Sequence, residues 1–354
     1  MKTVVFGTVK WSGPMRGFKF LAAAAVASLA LAGSFAAAEA EEVNLYSYRQ
    51  PFLINPLLDA FTKESGIEVN VVYAKKGMLE RLKAEGANSP ADAVLTVDIG
   101  RLNDLVDADL VQAVRSPTLE AAIPAHLRHP DGLWFALTTR VRIVYASKER
   151  VKPGELARYE DLADPKWRGR ICTRSGKHVY NVGLIASMIA HHGLDQTEIW
   201  LTAVKANLAR KPQGNDRAQV RAIKEGFCDL AIGNHYYMAK MLQDPKQKSW
   251  ADAVTIIFPN QADRGTHVNV SGVAVTKSAK HRDAAVRLVE FLAGPEAQRL
   301  YAAVNYEYPV LANVPLDPLV ASFGAFKSDE ADLDAIAKNR KAAIKLVDKV
   351  AFDL

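Results

Sequence analysis

The chain has 354 residues, 49% of them hydrophobic, and 45 basic against 39 acidic side chains, a length that calls for two cores rather than one. Four of those basic residues (Lys2, Lys10, Arg16 and Lys19) and only Glu39 among the acidic ones fall in the first 40 positions, so the positive excess halves without that segment. No Lys/Arg stripe with interleaved aromatics is present, which argues against a nucleic-acid partner.

Residues 1–40 read as a secretory signal peptide. A basic front precedes the Ala- and Leu-rich run Phe20 to Ala38, and Ala38-Glu39-Ala40 has the small-x-small form of a cleavage site. A membrane anchor is the alternative, but the run is only weakly hydrophobic. The mature protein is therefore expected to be exported. In that compartment Cys172 and Cys228, each in or after a short apolar segment, are expected to pair.

From Val43 the pattern alternates between strands and helices. Val43 to Tyr48 is a first strand broken by Arg49-Gln50-Pro51, Leu53 to Glu64 a helix closed by Gly66, and Ile67 to Tyr73 a second strand. Met78 to Glu85 is helical, Ala93 to Val97 a third strand, and a helix runs to about Asp107. This alternation defines an α/β protein. Trp134 to Ala146 and His267 to Val275 are long extended stretches suited to crossing between two lobes. Helices are expected at Val182 to His191, around 198–209 and 218–225, at Arg282 to Leu292 and at Pro295 to Val304. One long terminal helix after Asp329 would carry Leu333, Ile336, Ile344 and Val347 on one side.

Chemistry is concentrated in Gly233-Asn234-His235-Tyr236-Tyr237-Met238, where two adjacent tyrosines follow the buried-strand pattern Cys228 to Ile232. The ends of strands in α/β sheets are where ligands bind. Neighbours on an extended segment face opposite ways, so the backbone must turn if both tyrosines serve one site. A phenol ionises near pKa ~10, so only a strong Lewis acid displaces its proton at neutral pH. Ferric iron, hard and highly charged, meets that demand. Packing and a wet aromatic rim are the alternative uses of such a pair.

The phrases Gly214-Asn215-Asp216-Arg217-Ala218-Gln219, Phe258-Pro259-Asn260-Gln261, Gly265 to Gly272, Gly86 to Asp92, Asp164 to Arg170 and Asn305 to Val310 extend over nearly the whole mature chain. Together with the Asn-x-Tyr-Tyr motif they resemble the iron-binding periplasmic components of bacterial ABC importers. The resemblance implies a two-lobed type II periplasmic binding protein fold, with two crossing hinge strands and ligand in the cleft between lobes. Residues 41–138 and 268–320 would form the first lobe, and residues 139–267 and 321–354 the second. It also implies ferric iron as transported ligand, an inner-membrane permease as partner, a monomeric protein and no catalysis.

Carried over by position, Tyr180, Tyr236 and Tyr237 are phenolate ligands. The first lobe departs from the pattern, because Gln50-Pro51 stands where relatives place a His or a His-Tyr pair. Gln50 offers only a neutral amide oxygen, and Tyr48 is a nearby phenol that lies two positions early. Water or a small anion such as carbonate would then complete the shell, with Arg49, Arg101 and Arg140 as its candidate partners and Arg101 slightly ahead. His235 is a candidate to orient a phenolate, whereas His178 and the His191-His192 pair before Gly193 read as structural. An organic-solute binder with stacking tyrosines is the rival within this class. A secreted hydrolase is the rival outside it, disfavoured because neither G-x-S-x-G nor H-E-x-x-H occurs.

Overall fold

A computed structural model describes residues 41–354; the expected signal peptide lies outside them. In chain order the elements are β1 (Glu42–Ser47), α1 (Pro51–Ser65), β2 (Glu68–Tyr73), α2 (Met78–Glu85), β3 (Ala93–Thr96), α3 (Ile99–Asp107) and α4 (Pro117–Ala122). Then come β4 (Phe135–Ser147), β5 (Ile171–Cys172), α5 (Val179–Ala206), α6 (Asp216–Lys224), β6 (Leu230–Asn234), α7 (Tyr236–Gln243), α8 (Lys248–Ala251) and β7 (Val254–Ile257). The chain closes with β8 (Val268–Val275), α9 (Arg282–Ala293), α10 (Pro295–Asn305), β9 (Tyr308–Pro309), α11 (Pro318–Ala321), α12 (Leu333–Lys338) and α13 (Arg340–Lys349).

The sheet order β2-β1-β3-β8-β4-β6-β5 follows from two long strands. β1 pairs in parallel with β2 and β3, as βαβ units with helical crossovers must. β8 returns antiparallel to β3 and then to β4. β4 changes partners along its length: Phe135 to Val141 pair with β8, whereas Arg142 to Ala146 pair with β6. β5 extends this second part in parallel with β6.

Alternation along β4 distributes its side chains to two apolar clusters. Val141, Ile143 and Tyr145 pack with Ala231 and Met238, while Val144 and Ala146 pack with Leu230 and Ile232. A register shift between Ala136 and Thr138 breaks the β4–β8 ladder, and Gln298 Nε2 donates to the Leu137 carbonyl at 2.9 Å. The expected disulfide is present: Cys172 and Cys228 are joined with Cα atoms 5.9 Å apart, tying the end of β5 to the approach to β6.

The expected single terminal helix is two. Asn339 ends α12, its backbone N–H turning back to the Ile336 carbonyl, and α13 starts afresh at Arg340. The break resets the apolar stripe, so Leu333, Ile336 and Val347 are buried but Ile344 is 38% exposed. The two helices expected around 182–191 and 198–209 are both present within α5, parted by a kink at Gly193, whose φ of 77° and ψ of 170° no L-residue adopts readily. Among the described residues no helix is long and apolar enough to cross a membrane.

Candidate metal centre

The tyrosine pair reaches one site because the chain turns immediately after β6. β6 continues through Gly233 and Asn234, and Gly233 is required there because an added Cβ would lie 2.3 Å from the Tyr145 ring. That close approach lets the Tyr145 hydroxyl donate to the Asn234 carbonyl at 2.5 Å and hold the strand end. α7 begins at Tyr236, so the two tyrosines occupy its first turn with ring centroids 4.3 Å apart. Tyr180 enters from the first turn of α5, and the Tyr236 hydroxyl donates to the Tyr180 hydroxyl at 3.1 Å.

All three tyrosines line a cavity of about 220 Å³, with Arg217 and Lys240 beside them. Tyr48, Gln50, Phe52, Leu53 and Val97 form the facing wall, and Arg49, Arg140 and Glu307 also line it. A larger groove of about 560 Å³ beside Phe61 and Phe291 is lined by opposed Glu and Arg side chains and gathers no phenols. Among the described residues no group of three or more His, Cys, Asp or Glu side chains is placed to hold a metal.

Cations surround the phenols. The guanidinium carbons of Arg140, Arg174 and Arg142 lie 5.4, 5.3 and 5.8 Å from the Tyr180 ring centre. Arg217 lies 5.5 Å from the Tyr237 ring, and Lys240 Nζ 5.7 Å from that of Tyr236. Burial, then the neighbouring Tyr180, pushes Tyr236 well above the ordinary phenol range and Tyr237 up to about 12. The pair is thus protonated in the empty cavity at neutral pH, and a metal must displace those protons.

Two buried carboxylates hold the cations in place. Asp216 receives Arg142 at 3.1 Å, Arg174 at 3.1 Å and the backbone N–H of Asn234 at 3.1 Å. Glu307 receives Arg49 at 2.9 Å and the Thr138 hydroxyl. Burial alone would raise the Glu307 carboxyl, but Arg49 and Arg140 more than reverse this and hold it below its usual range.

The structure brings Tyr48, Arg49, Gln50 and Arg140 to the same cavity as the three tyrosines. Arg49 is committed to Glu307 and to Ser271 Oγ at 2.5 Å, and Arg140 to the carbonyls of Val97 and Val270. Arg101 does not line the cavity; its guanidinium stacks over the Tyr48 ring at 4.1 Å. His235 hydrogen-bonds no phenol. Its Nδ1 accepts from the Val141 N–H at 3.1 Å and its Nε2 lies 2.8 Å from the Tyr306 carbonyl, which fixes a neutral ring. Burial depresses its pKa to about 4, and it meets Tyr236 edge-on at 5.8 Å. Sequence reasoning passed over Arg217, Lys240, Asp216 and Glu307. Three of these sit inside the quoted phrases, and Lys240 follows Tyr236 by one helical turn.

Two sheet segments exchanged through β4 and β8, with a phenol-lined cavity at helix N-termini, define a type II periplasmic binding protein. The profile of the family described as bacterial extracellular solute-binding protein matches residues 88–327, and the chain belongs to that family. It is 48% identical over 317 residues to iron uptake protein A1 of Synechocystis, covering 89% of this chain and 88% of that one. Among solved structures, the apo ferric ion-binding protein A of Pasteurella haemolytica is 53% identical, with a TM-score of 0.84 over 89% of this chain and 99% of its own. A Trichodesmium protein in complex with iron and citrate is 43% identical, with a TM-score of 0.85 over 88% and 99%.

Proposed function

We propose that the protein captures ferric iron in the periplasm through the phenolates of Tyr180, Tyr236 and Tyr237 and hands it, as a monomer, to an ABC permease in the inner membrane. The observation that carries this reading is the convergence of three phenols from two helix N-termini on one basic cavity. The names of the relatives, iron uptake protein and ferric ion-binding protein, support the same ligand. Export follows from the signal-peptide pattern of residues 1–40. The protein is a carrier, not a catalyst.

The two lobes are residues 41–138 with 268–320, and residues 139–267 with 321–354, so the three ligands belong to the second and the first closes over them. Three phenolates balance the charge of a ferric ion and leave coordination positions open. External oxygen donors fill these, either water or a small anion such as carbonate, drawn in by Arg217 and Lys240. Among the described residues neither cation has a carboxylate within ion-pair distance, unlike Arg49 and Arg142. The citrate bound with iron in the Trichodesmium protein supports an oxygen-donor anion here. Adding ferric iron to the purified protein tests the reading: a visible phenolate-to-iron charge-transfer band supports it, and a colourless, iron-free product rejects it.

A further inference from the structure

The phrase Gly265 to Gly272 supplies none of the three tyrosines, yet it contains Asn269, a buried side chain set between the start of α3 and α5. Asn269 is 7% exposed and lies directly opposite Arg140 in the β4–β8 ladder. Its Oδ1 accepts from the backbone N–H of Ile99 at 3.1 Å and of Val270 at 2.8 Å. Its Nδ2 donates to Asp98 Oδ2 at 2.8 Å, and Asp98 Oδ1 caps α3 by accepting from the Gly100 N–H at 3.0 Å. On its other side, Asn269 Nδ2 lies 3.0 Å from the position a Cβ on Gly183 would take. Gly183 is three residues along α5 from Tyr180, so the helix that carries this phenol rests on the amide. The cavity-lining Val97 directly precedes Asp98, and its carbonyl receives Arg140, whose guanidinium faces Tyr180.

We propose that Asn269 is a positioning residue for iron binding: it ties the capped start of α3 to β8 while α5 rests on it through Gly183, and so sets where Tyr180 stands between the Val97 wall and Tyr236. The inference rests on the phenolate reading above. Every polar atom of the amide is used, so its orientation is determined by its partners. Asn269→Asp keeps the size and the acceptors for Ile99 and Val270 but sets a second carboxylate against Asp98 in a buried place, where the two repel unless they share a proton, so the variant is compared with wild type at rising pH, where the repulsion takes over. The exchange variant Asp98→Asn with Asn269→Asp restores one donor opposite one carboxylate, keeps an acceptor for the Gly100 N–H and leaves the charge unchanged.

The test measures, for wild type, Asn269→Asp, the exchange variant and Gly183→Ala, the charge-transfer band and the rate of iron loss to a competing chelator, with thermal melting alongside. Asn269→Asp is expected to shift the band and to release iron about tenfold faster or more, the scale on which partners behind a metal ligand act. The exchange variant is expected to regain both wild-type values. Gly183→Ala, which adds one methyl against the amide, moves band and rate in the same direction and decides the question if Asn269→Asp does not fold. A coloured wild type whose variants melt lower but keep its band and release rate overturns this inference alone. A wild type without the band overturns the phenolate reading, and this inference with it.

Discussion

The Tyr236 hydroxyl donates to the Tyr180 hydroxyl at 3.1 Å, although the two residues lie on different helices and 56 positions apart. Two phenols this close in a basic, partly buried cavity share a hydrogen bond while neutral and repel once ionised. On the proposed reading, a ferric ion between them would convert that repulsion into ligation.

Iron uptake should therefore release protons, close to one for each coordinating tyrosine, and affinity should rise with pH. The sign follows from burial, which pushes Tyr236 and Tyr237 upward so that the empty site holds the neutral phenols that the metal must deprotonate. Titration in a weakly buffered indicator solution measures the release. Proton-free uptake with pH-independent affinity would mean that the phenols stay protonated.

Arg217 and Lys240 lie over the rings of Tyr237 and Tyr236 and line the cavity with them. Arg217→Ala and Lys240→Ala should each weaken iron binding several-fold in bicarbonate and less without it, if both cations draw in the anion as proposed. Loss of a stacked cation is worth about 0.5–2 kcal/mol. Iron titrations with and without bicarbonate check this, and identical affinities in wild type would mean that protein groups such as Tyr48 or Gln50 complete the shell.

The disulfide closes a loop with a sequence separation of 56 between the strand before Tyr180 and the strand before Tyr236. By the chain-entropy argument a loop of that length contributes roughly 4 kcal/mol. Cys172→Ser with Cys228→Ser should lower the denaturant midpoint by a corresponding amount. An unchanged midpoint would show that the second sheet segment needs no cross-link.

Acid should destabilise the protein through Glu160. Burial works against its ionised form, but hydrogen bonds from Asn260 and Arg264 outweigh it and lower its pKa from 4.5 to about 2. Its contribution to stability is present above pH 4.5 and is lost as pH falls from there towards about 2. Glu160→Gln should flatten the melting temperature across that window and lower it at neutral pH. An equally steep acid limb in the variant would assign the loss to other carboxylates.

Much of this fold was legible because local pattern and tertiary structure agree. The αL conformation of Gly66 closes α1, the fully buried β3 is a near-continuous apolar run, and β8 begins by alternating Val268 and Val270 with Asn269 and Ser271. The break at Asn339 was hidden because Leu333, Ile336 and Val347 fit one stripe whether the helix is continuous or interrupted. In the candidate site, adjacency pointed to Tyr236 and Tyr237, whereas the resemblance alone pointed to Tyr180. Asp216 and Glu307 could not be read as anchors, because their arginine partners Arg142 and Arg49 are 74 and 258 positions away.

On the proposed reading the three tyrosines hold the iron. Ferric titration of wild type and of Tyr180→Phe with Tyr237→Phe, followed by visible absorbance and by bound iron after gel filtration, tests it most directly. Phe keeps both rings, so the double variant should fold as wild type does. It should lose most of the charge-transfer band and should not retain stoichiometric iron. A double variant that is fully coloured and holds iron as tightly as wild type would contradict the account.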